Sequence, residues 1–340
     1  MASGKAGLWS FKKSHWMKAV FSRLLSQSLY RLKPLVNQVY LLVSEGISPE
    51  FVIKSQGLLY HPICSVDFRL RWRLDERNGM NRQISNKFDE ITIEYEVDGP
   101  SSAPLNLVFV HGWTCNRTHW RAQMLAFTDR YRVIAIDLAG HGESSLGRPE
   151  YSMPAFARDV EAVLDRENVQ RAVLIGHSMG GMVILHACRL LGDRVVGFVG
   201  ADTFKYLRDD PSTGKQFEQW QLFVNDYDSA IASVVSNMFA ETTPDELRKT
   251  ITEGMISAAT EVAIGAMKGM ADDIPLFDLA AGLDVPKYAF NATGRPMDES
   301  AVRDAGIELQ YLPTNGHFVM NEDPEGFNRL LNEALEKMLD

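Results

Sequence analysis

The stretch VLIGHSMGGMV, residues 173–183, carries an apolar run into Gly-His-Ser-Met-Gly-Gly and out into a second apolar run. The first run reads as a buried strand and the second as the opening of a helix. Glycines at 176 and 180 allow a turn too tight for a Cβ. Ser178 then stands at the tip of a strand–turn–helix unit, above the sheet and beside the helix N-terminus. This is the G-x-S-x-G nucleophile elbow, here Gly176-His177-Ser178-Met179-Gly180. The plainer reading, glycines that serve only a tight turn, does not compete with it, because that turn is what exposes the serine.

The rest of the chain supplies a sheet for the elbow to sit on. Of its 340 residues, 45% are hydrophobic and 23% charged, the composition of an ordinary globular protein. ITIEYEV (91–97) alternates like a half-buried strand. Short runs that are apolar throughout follow: LNLVFVHG (105–112), YRVIAIDLAG (131–140), RAVLIGHS (171–178) and RVVGFVGAD (194–202). Amphipathic stretches such as MPAFARDVEAVLDREN (153–168) and MVILHACRLLGDR (182–194) separate them. Such alternation indicates an α/β fold with a mostly parallel sheet covered by helices on both faces. Residues 203–282 interrupt it with helical patterns at 217–239 and 244–270, the second opened by Pro244. Met238, Met255, Met267 and Met270 there are either plain core or an adaptable wall for an apolar ligand. The sheet pattern resumes at VPKYAFNAT (285–293) and IELQYLP (307–313), and a helix over 324–339 closes the chain.

A serine hydroxyl needs a base to take its proton. His317, in LPTNGHFVMNEDPEGFN, follows the last expected strand and would lie at the same sheet edge as the elbow. His111 and His141 sit in glycine turns, His119 and His186 read as loop or helix residues, and the His177 ring is expected to point away from its neighbour Ser178. An oxyanion would need two backbone donors. Met179, directly after the serine, and Trp113, after FVHG, are the candidates, which leaves both side chains free to shape an acyl pocket.

From about residue 90 onward the chain resembles the α/β-hydrolase fold superfamily, in its serine esterase and lipase branch. FVHGW (109–113), IDLAGHGES (136–144), GHSMGG (176–181) and NGHF (315–318) carry the resemblance, in the family's order and spacing. HGWTCNRTHW and VGADTF resemble a bacterial-type esterase branch whose substrates are often unassigned. The resemblance implies an eight-stranded, mostly parallel sheet and a helical lid inserted after the sixth strand, which residues 203–282 fit. It also implies a catalytic acid. The usual place, after the seventh strand, reads NATGRPMDES and reaches an aspartate only at Asp298. A second family solution, after the sixth strand, falls on Asp202, which we prefer; Asp137 reads as structural. Either acid would orient His317.

Family members that open epoxides or displace halide use an aspartate where this chain has Ser178. A serine gives acyl transfer through an acyl-enzyme, with carboxylic esters of apolar acyl groups as the expected small-molecule substrates. Lactones, thioesters, amides and diketone C–C bonds are the alternatives, as is a non-catalytic binding protein on this fold. No cofactor and no metal is expected, for the sequence shows neither a phosphate-binding loop nor a metal-spaced cluster. A net charge of −9 argues against nucleic acid as a partner. The widely spaced Cys64, Cys115 and Cys188 suggest a reducing, cytoplasmic setting.

Residues 1–80 stand apart from the hydrolase domain expected over 81–340. Residues 1–44 hold seven basic side chains and no acidic one, and apolar residues recur at helical spacing from Met17 to Val39. Three readings remain open. The segment is a helix docked on the acidic body, a peripheral membrane or targeting segment, or a leader before a true start at Met80.

Overall fold

The computed structural model describes residues 51–54, 57–60, 80–205, 207–208, 220–273, 275–314 and 316–339. The basic segment 1–44 and Cys64 lie outside the described residues. The chain divides into two units between residues 77 and 78. In the first, β1 (Phe51–Lys54) and β2 (Gly57–Tyr60) form an antiparallel pair.

The second unit opens with β3 (Met80–Ser85), β4 (Thr92–Asp98) and β5 (Asn106–Val110). Then come α1 (Arg121–Phe127), β6 (Arg132–Ile136), α2 (Met153–Arg166), β7 (Ala172–His177), α3 (Met179–Leu191) and β8 (Val195–Ala201). Among the described residues the next strand is preceded by α4 (Trp220–Asn225), α5 (Tyr227–Ser236), α6 (Asp245–Ile256), α7 (Thr260–Asp272) and α8 (Phe277–Ala281). The chain closes with β9 (Lys287–Ala292), α9 (Glu299–Asp304), β10 (Glu308–Leu312), α10 (Val319–Glu322) and α11 (Pro324–Leu339).

These strands make one eight-stranded sheet in the order β10-β9-β8-β7-β5-β6-β4-β3. Every neighbouring pair from β10 to β6 is parallel; only β4 and β3, at one edge, run antiparallel. The central strands β5 and β7 are buried at every position, as strands covered on both faces must be. The helical segment between β8 and β9 occupies the position expected after the sixth strand of this sheet.

Three details differ from the sequence expectation. The edge strand β3 alternates between exposed and half-exposed positions, too polar to read as a strand in isolation. Of the pattern over 217–239, residues 217–219 lie outside the described residues and the rest holds two helices, because the Asp226 side chain accepts the Ser229 N–H and restarts the turn as an N-cap. The pattern over 244–270 is likewise divided at residues 257–259, and Pro244 is the N-cap residue of α6 rather than part of its first turn. Among the described residues no helix is long and apolar enough to cross a membrane.

One buried ion cluster ties the antiparallel edge to the helices. The Arg148 guanidinium pairs with Asp159 on α2, and its Nε donates to Asp89 at 2.7 Å. Asp159 is fully buried and also accepts from Asn86 Nδ2 at 2.8 Å and from the Ala139 N–H at 3.1 Å. Removing Asp159 leaves the buried Arg148 charge to Asp89 alone and takes the acceptor from Asn86 Nδ2 and the Ala139 N–H. Asp159→Ala is therefore expected to destabilise the protein by about 3–5 kcal/mol, measured as a lowered urea midpoint of the full chain.

Candidate active site

Ser178 lies between the last residue of β7 and the first of α3, with φ 52° and ψ −118°. A non-glycine residue held there costs on the order of 1–3 kcal/mol, so the surroundings must enforce it. They do so by close packing. A Cβ on Gly180 would come within 2.5 Å of the carbonyl oxygens of Val110 and His111, so α3 starts directly against the end of β5. The Ser178 N–H donates to the Ala201 carbonyl at 3.0 Å, and the Thr203 hydroxyl donates to the Ser178 carbonyl at 2.8 Å. Thr114, after β5, and Asp202, after β8, also have positive φ, at 54° and 46°. Backbone strain is thus gathered at the carboxyl ends of three adjacent strands.

The structure brings His317 to this edge and hydrogen-bonds its Nδ1 to Asp202 Oδ2 at 2.5 Å. Asp202 is fixed from its other oxygen, Oδ1, by the Ala292 N–H at 3.0 Å. A third group, unforeseen from the sequence, joins them: Lys205 Nζ donates to the same Asp202 Oδ2 at 2.7 Å. Burial alone would raise the Asp202 carboxyl, but the His317 hydrogen bond and the charges of His317 and Lys205 outweigh it and hold the group well below the usual carboxylate range. Burial lowers His317 from the ordinary imidazole value, and Lys205 and Arg295 push the same way against the attraction of Asp202. Asp298 lies apart. Its carboxylate caps α9 by accepting the Ala301 N–H at 2.9 Å, and it is half exposed.

Ser178 and His317 line one small cavity of about 10 Å³, with Trp113, Cys115, His177, Met238, Met255 and Phe318 around it. That is about the room of a single water. The loop after β5 forms one wall. A Cβ on Gly112 would lie 3.2 Å from Ser178 Cβ, so the chain passes against the serine just before Trp113. Met179 is the first residue of α3, and its N–H is one of the helix-terminal donors with no intrahelical acceptor. The Trp113 indole donates to the Ala263 carbonyl at 2.8 Å, which fastens α7 over this loop. The His317 N–H donates to the Met238 carbonyl at 2.5 Å, a second fastening from the same helical segment.

Other residues singled out by the sequence fall into place around this centre. Met238 and Met255 line the cavity, and Met255, Met267 and Met270 belong to the hydrophobic core, so Met255 does both. The His177 ring does not point away from the site as expected. It lies 4.7 Å from the His317 ring, donates through Nε2 to the His317 carbonyl at 2.9 Å, and lines the cavity. Since a carbonyl only accepts, Nε2 carries the proton. The adjacent position on a turn predicts divergence, but the strained turn at Ser178 folds the two side chains toward one loop. His111 is buried with its Nε2 accepting the Leu138 N–H at 3.0 Å, and burial pushes it down to about 3. Asp137 pairs with the Arg117 guanidinium and accepts the Glu143 N–H at 2.9 Å, a structural role. Cys115 and Cys188 are free and buried. Among the described residues no cluster of His, Cys, Asp and Glu could hold a metal ion.

Comparison with known proteins agrees with this architecture. A family model described as "Alpha/beta hydrolase family" matches residues 107–330. Over 94 residues the chain is 43% identical to "Bifunctional esterase/perhydrolase DCH" of Acinetobacter calcoaceticus, a match covering 27% of this chain and 34% of that protein. It is 29% identical over 150 residues to "Epoxide hydrolase 4" of Homo sapiens, 44% of this chain and 39% of the relative. In both cases the chain spans well under half of the relative's length. The match to "AB hydrolase superfamily protein YisY" of Bacillus subtilis (strain 168) is longer, 27% identity over 245 residues, 66% of this chain and 89% of the other. Among solved structures, a thermophilic esterase from Thermogutta terrifontis, malate bound, superimposes with a TM-score of 0.68 at 25% identity, covering 76% of this chain and 99% of its own.

The two candidate carboxylates have different surroundings, and this separates them in stability. Asp298→Ala should cost about 1 kcal/mol through the lost cap of α9 and leave the His317 loop in place. Asp202→Ala should cost more, because it leaves the Lys205 ammonium and the Ala292 N–H buried without an acceptor. Equal denaturation midpoints for the two variants would contradict this.

Proposed function

The chain belongs to the alpha/beta hydrolase family, and we propose that it is a serine hydrolase of carboxylic esters. Ser178 is the nucleophile, His317 the general base and Asp202 the acid that orients it. The backbone N–H groups of Trp113 and Met179 are the oxyanion donors. The observation that carries this reading is the Nδ1 bond from His317 to Asp202. It fixes the tautomer, so that Nε2 is the free acceptor in the cavity His317 shares with Ser178.

In acylation, His317 Nε2 takes the Ser178 proton as Oγ bonds to the ester carbonyl carbon. The carbonyl oxygen gains the electron pair and is held by the two N–H donors, each worth about 3–4 kcal/mol of barrier. The intermediate collapses as the C–O bond to the alcohol breaks and the imidazolium returns its proton to the departing alkoxide. In deacylation, His317 takes a proton from water, whose oxygen attacks the acyl carbon, and Ser178 leaves with that proton. Asp202 stays ionised throughout and stabilises the imidazolium.

The likeness to an epoxide hydrolase does not transfer its chemistry. Ring opening through an alkyl-enzyme ester needs a carboxylate nucleophile, and Ser178 is a hydroxyl. With room for about one water, the cavity holds no acyl group as it stands, and Trp113, Met238, Met255 and Phe318 make its walls apolar. Any ester requires the helical segment between β8 and β9 to open, against its fastenings at Trp113 and His317, and the shortest acyl groups require the least movement.

A fluorophosphonate probe should label the wild type and not Ser178→Ala, read by intact mass. Failure to label the wild type under conditions where it is folded excludes the serine mechanism. In a p-nitrophenyl ester series from C2 to C16, kcat/KM should be highest for C2 to C4. Asp202→Asn should lower kcat by about 10⁴-fold with Ser178 still in place, while Asp298→Asn should stay near wild type. The reverse order of the two variants would reassign the acid.

A further inference from the structure

We infer that Lys205 is a positioning residue that sets the operating pH of His317: by sharing one carboxylate oxygen of Asp202 with the imidazole, it keeps the base unprotonated in more acidic solution than a carboxylate alone would. The inference rests on the proposed role of His317 as the base.

The geometry is that of a three-membered polar chain. Asp202 Oδ2 accepts from both His317 Nδ1 (2.5 Å) and Lys205 Nζ (2.7 Å), while Oδ1 is occupied by the Ala292 N–H. The Asp202 carboxylate is 0% exposed, and the Lys205 and His317 side chains are only 12% and 13% exposed. Little water is therefore present to screen one charge from the next. When His317 takes a proton, the imidazolium gains the attraction of Asp202. It also meets an ammonium bonded to that same oxygen. The lysine thus offsets part of what the carboxylate supplies, and the protonated base is less favoured.

Among the described residues, charged or titratable groups surround His317 from several elements. Asp202 and Lys205 come from the segment after β8. Arg295, after β9, holds its guanidinium against the Asn237 and Met238 carbonyls at 3.1 Å and repels an imidazolium. His177, at the end of β7, is kept neutral by burial and contributes no charge. Cys115, after β5, has its thiol pushed up to about 12 by burial and stays protonated. Glu322, on α10, packs its carboxylate against Gly316 and accepts from the Thr243 hydroxyl at 2.9 Å, an anion beside the loop. Asp202 is the anion bonded to the imidazole, and Lys205 and Arg295 oppose its protonation. A neutral His317 is the active form, so activity is lost as pH falls through its protonation. Removing the lysine charge moves that loss to higher pH.

The test is Lys205→Met, which keeps the stem and removes the charge, beside Lys205→Arg, which keeps the charge. Lys205→Gln replaces the methionine variant if that one does not fold. The first readout is the titration midpoint of the His317 ring by NMR of ¹³C-histidine-labelled protein, assigned by the signal lost in His317→Asn. It needs no turnover and so stands apart from the ester reading. We expect Lys205→Met or Lys205→Gln to raise the midpoint by about one pH unit and Lys205→Arg to leave it nearly unchanged. The acid limb of kcat/KM on p-nitrophenyl acetate should move by the same amount. An unmoved midpoint in the folded neutral variant overturns the inference, whatever its activity. A raised midpoint in a protein that no fluorophosphonate labels supports the Lys205 coupling and sinks the ester mechanism instead.

Discussion

Helix α3 begins against the end of β5 with no room for a side chain: a Cβ on Gly180 would lie 2.5 Å from two main-chain oxygens there. This close approach does more than pack a helix on a sheet. It forces the turn at Ser178 into a positive φ that serine does not choose, and it brings the loop after β5 to within contact of the serine. Ser178 and the loop after β5 are thus positioned by one backbone contact. A larger residue at position 180 would separate them together.

Around that contact the carboxyl ends of the strands are joined by polar links rather than by apolar packing. Asn291, in β9, exchanges hydrogen bonds with the backbone of Thr203 at 3.1 and 3.0 Å, and Asp202 reaches across to Ala292. These bonds align the loop after β8 with the end of β9, and the His317 loop attaches to that frame through Asp202. On the other side of Ser178, the Arg117–Asp137 pair does the same for the loops after β5 and β6. A buried polar group is costly to leave unsatisfied, so each link tolerates few alternative geometries. The strain at Thr114, Ser178 and Asp202 is held in place by this frame.

The helical segment between β8 and β9 is integral to the site. It supplies Met238 and Met255 to the cavity and receives hydrogen bonds from the Trp113 indole and the His317 N–H. Both fastenings end on carbonyls of that segment, so a movement of these helices is coupled directly to the His317 loop and to the loop after β5.

Much of this was legible in the sequence, and for a physical reason. Parallel strands covered on both faces must be apolar at nearly every position, so β5, β7 and β8 announce themselves as continuous apolar runs. The elbow is legible because only glycine fits where α3 meets the sheet. Local patterns fail where the determinant is a neighbour distant in the chain. The edge strand β3 is polar and is defined by its pairing with β4. Two long helical patterns conceal breaks at Asp226 and at residues 257–259. The contrast between Asp202 and Asp298 lies wholly in the fold: 115 residues separate Asp202 from His317, and only the tertiary arrangement puts one carboxylate on the imidazole and leaves the other capping a helix. Lys205 and His177 carry no sequence signal of their own. The sequence by itself determined the apolar parallel strands and the turn that carries Ser178, because these follow from periodicity and local sterics, and it pointed to His317 by its place after the last strand. The tertiary structure alone decided which charges surround that histidine, because electrostatic coupling depends on distances across the ends of strands that chain order does not encode.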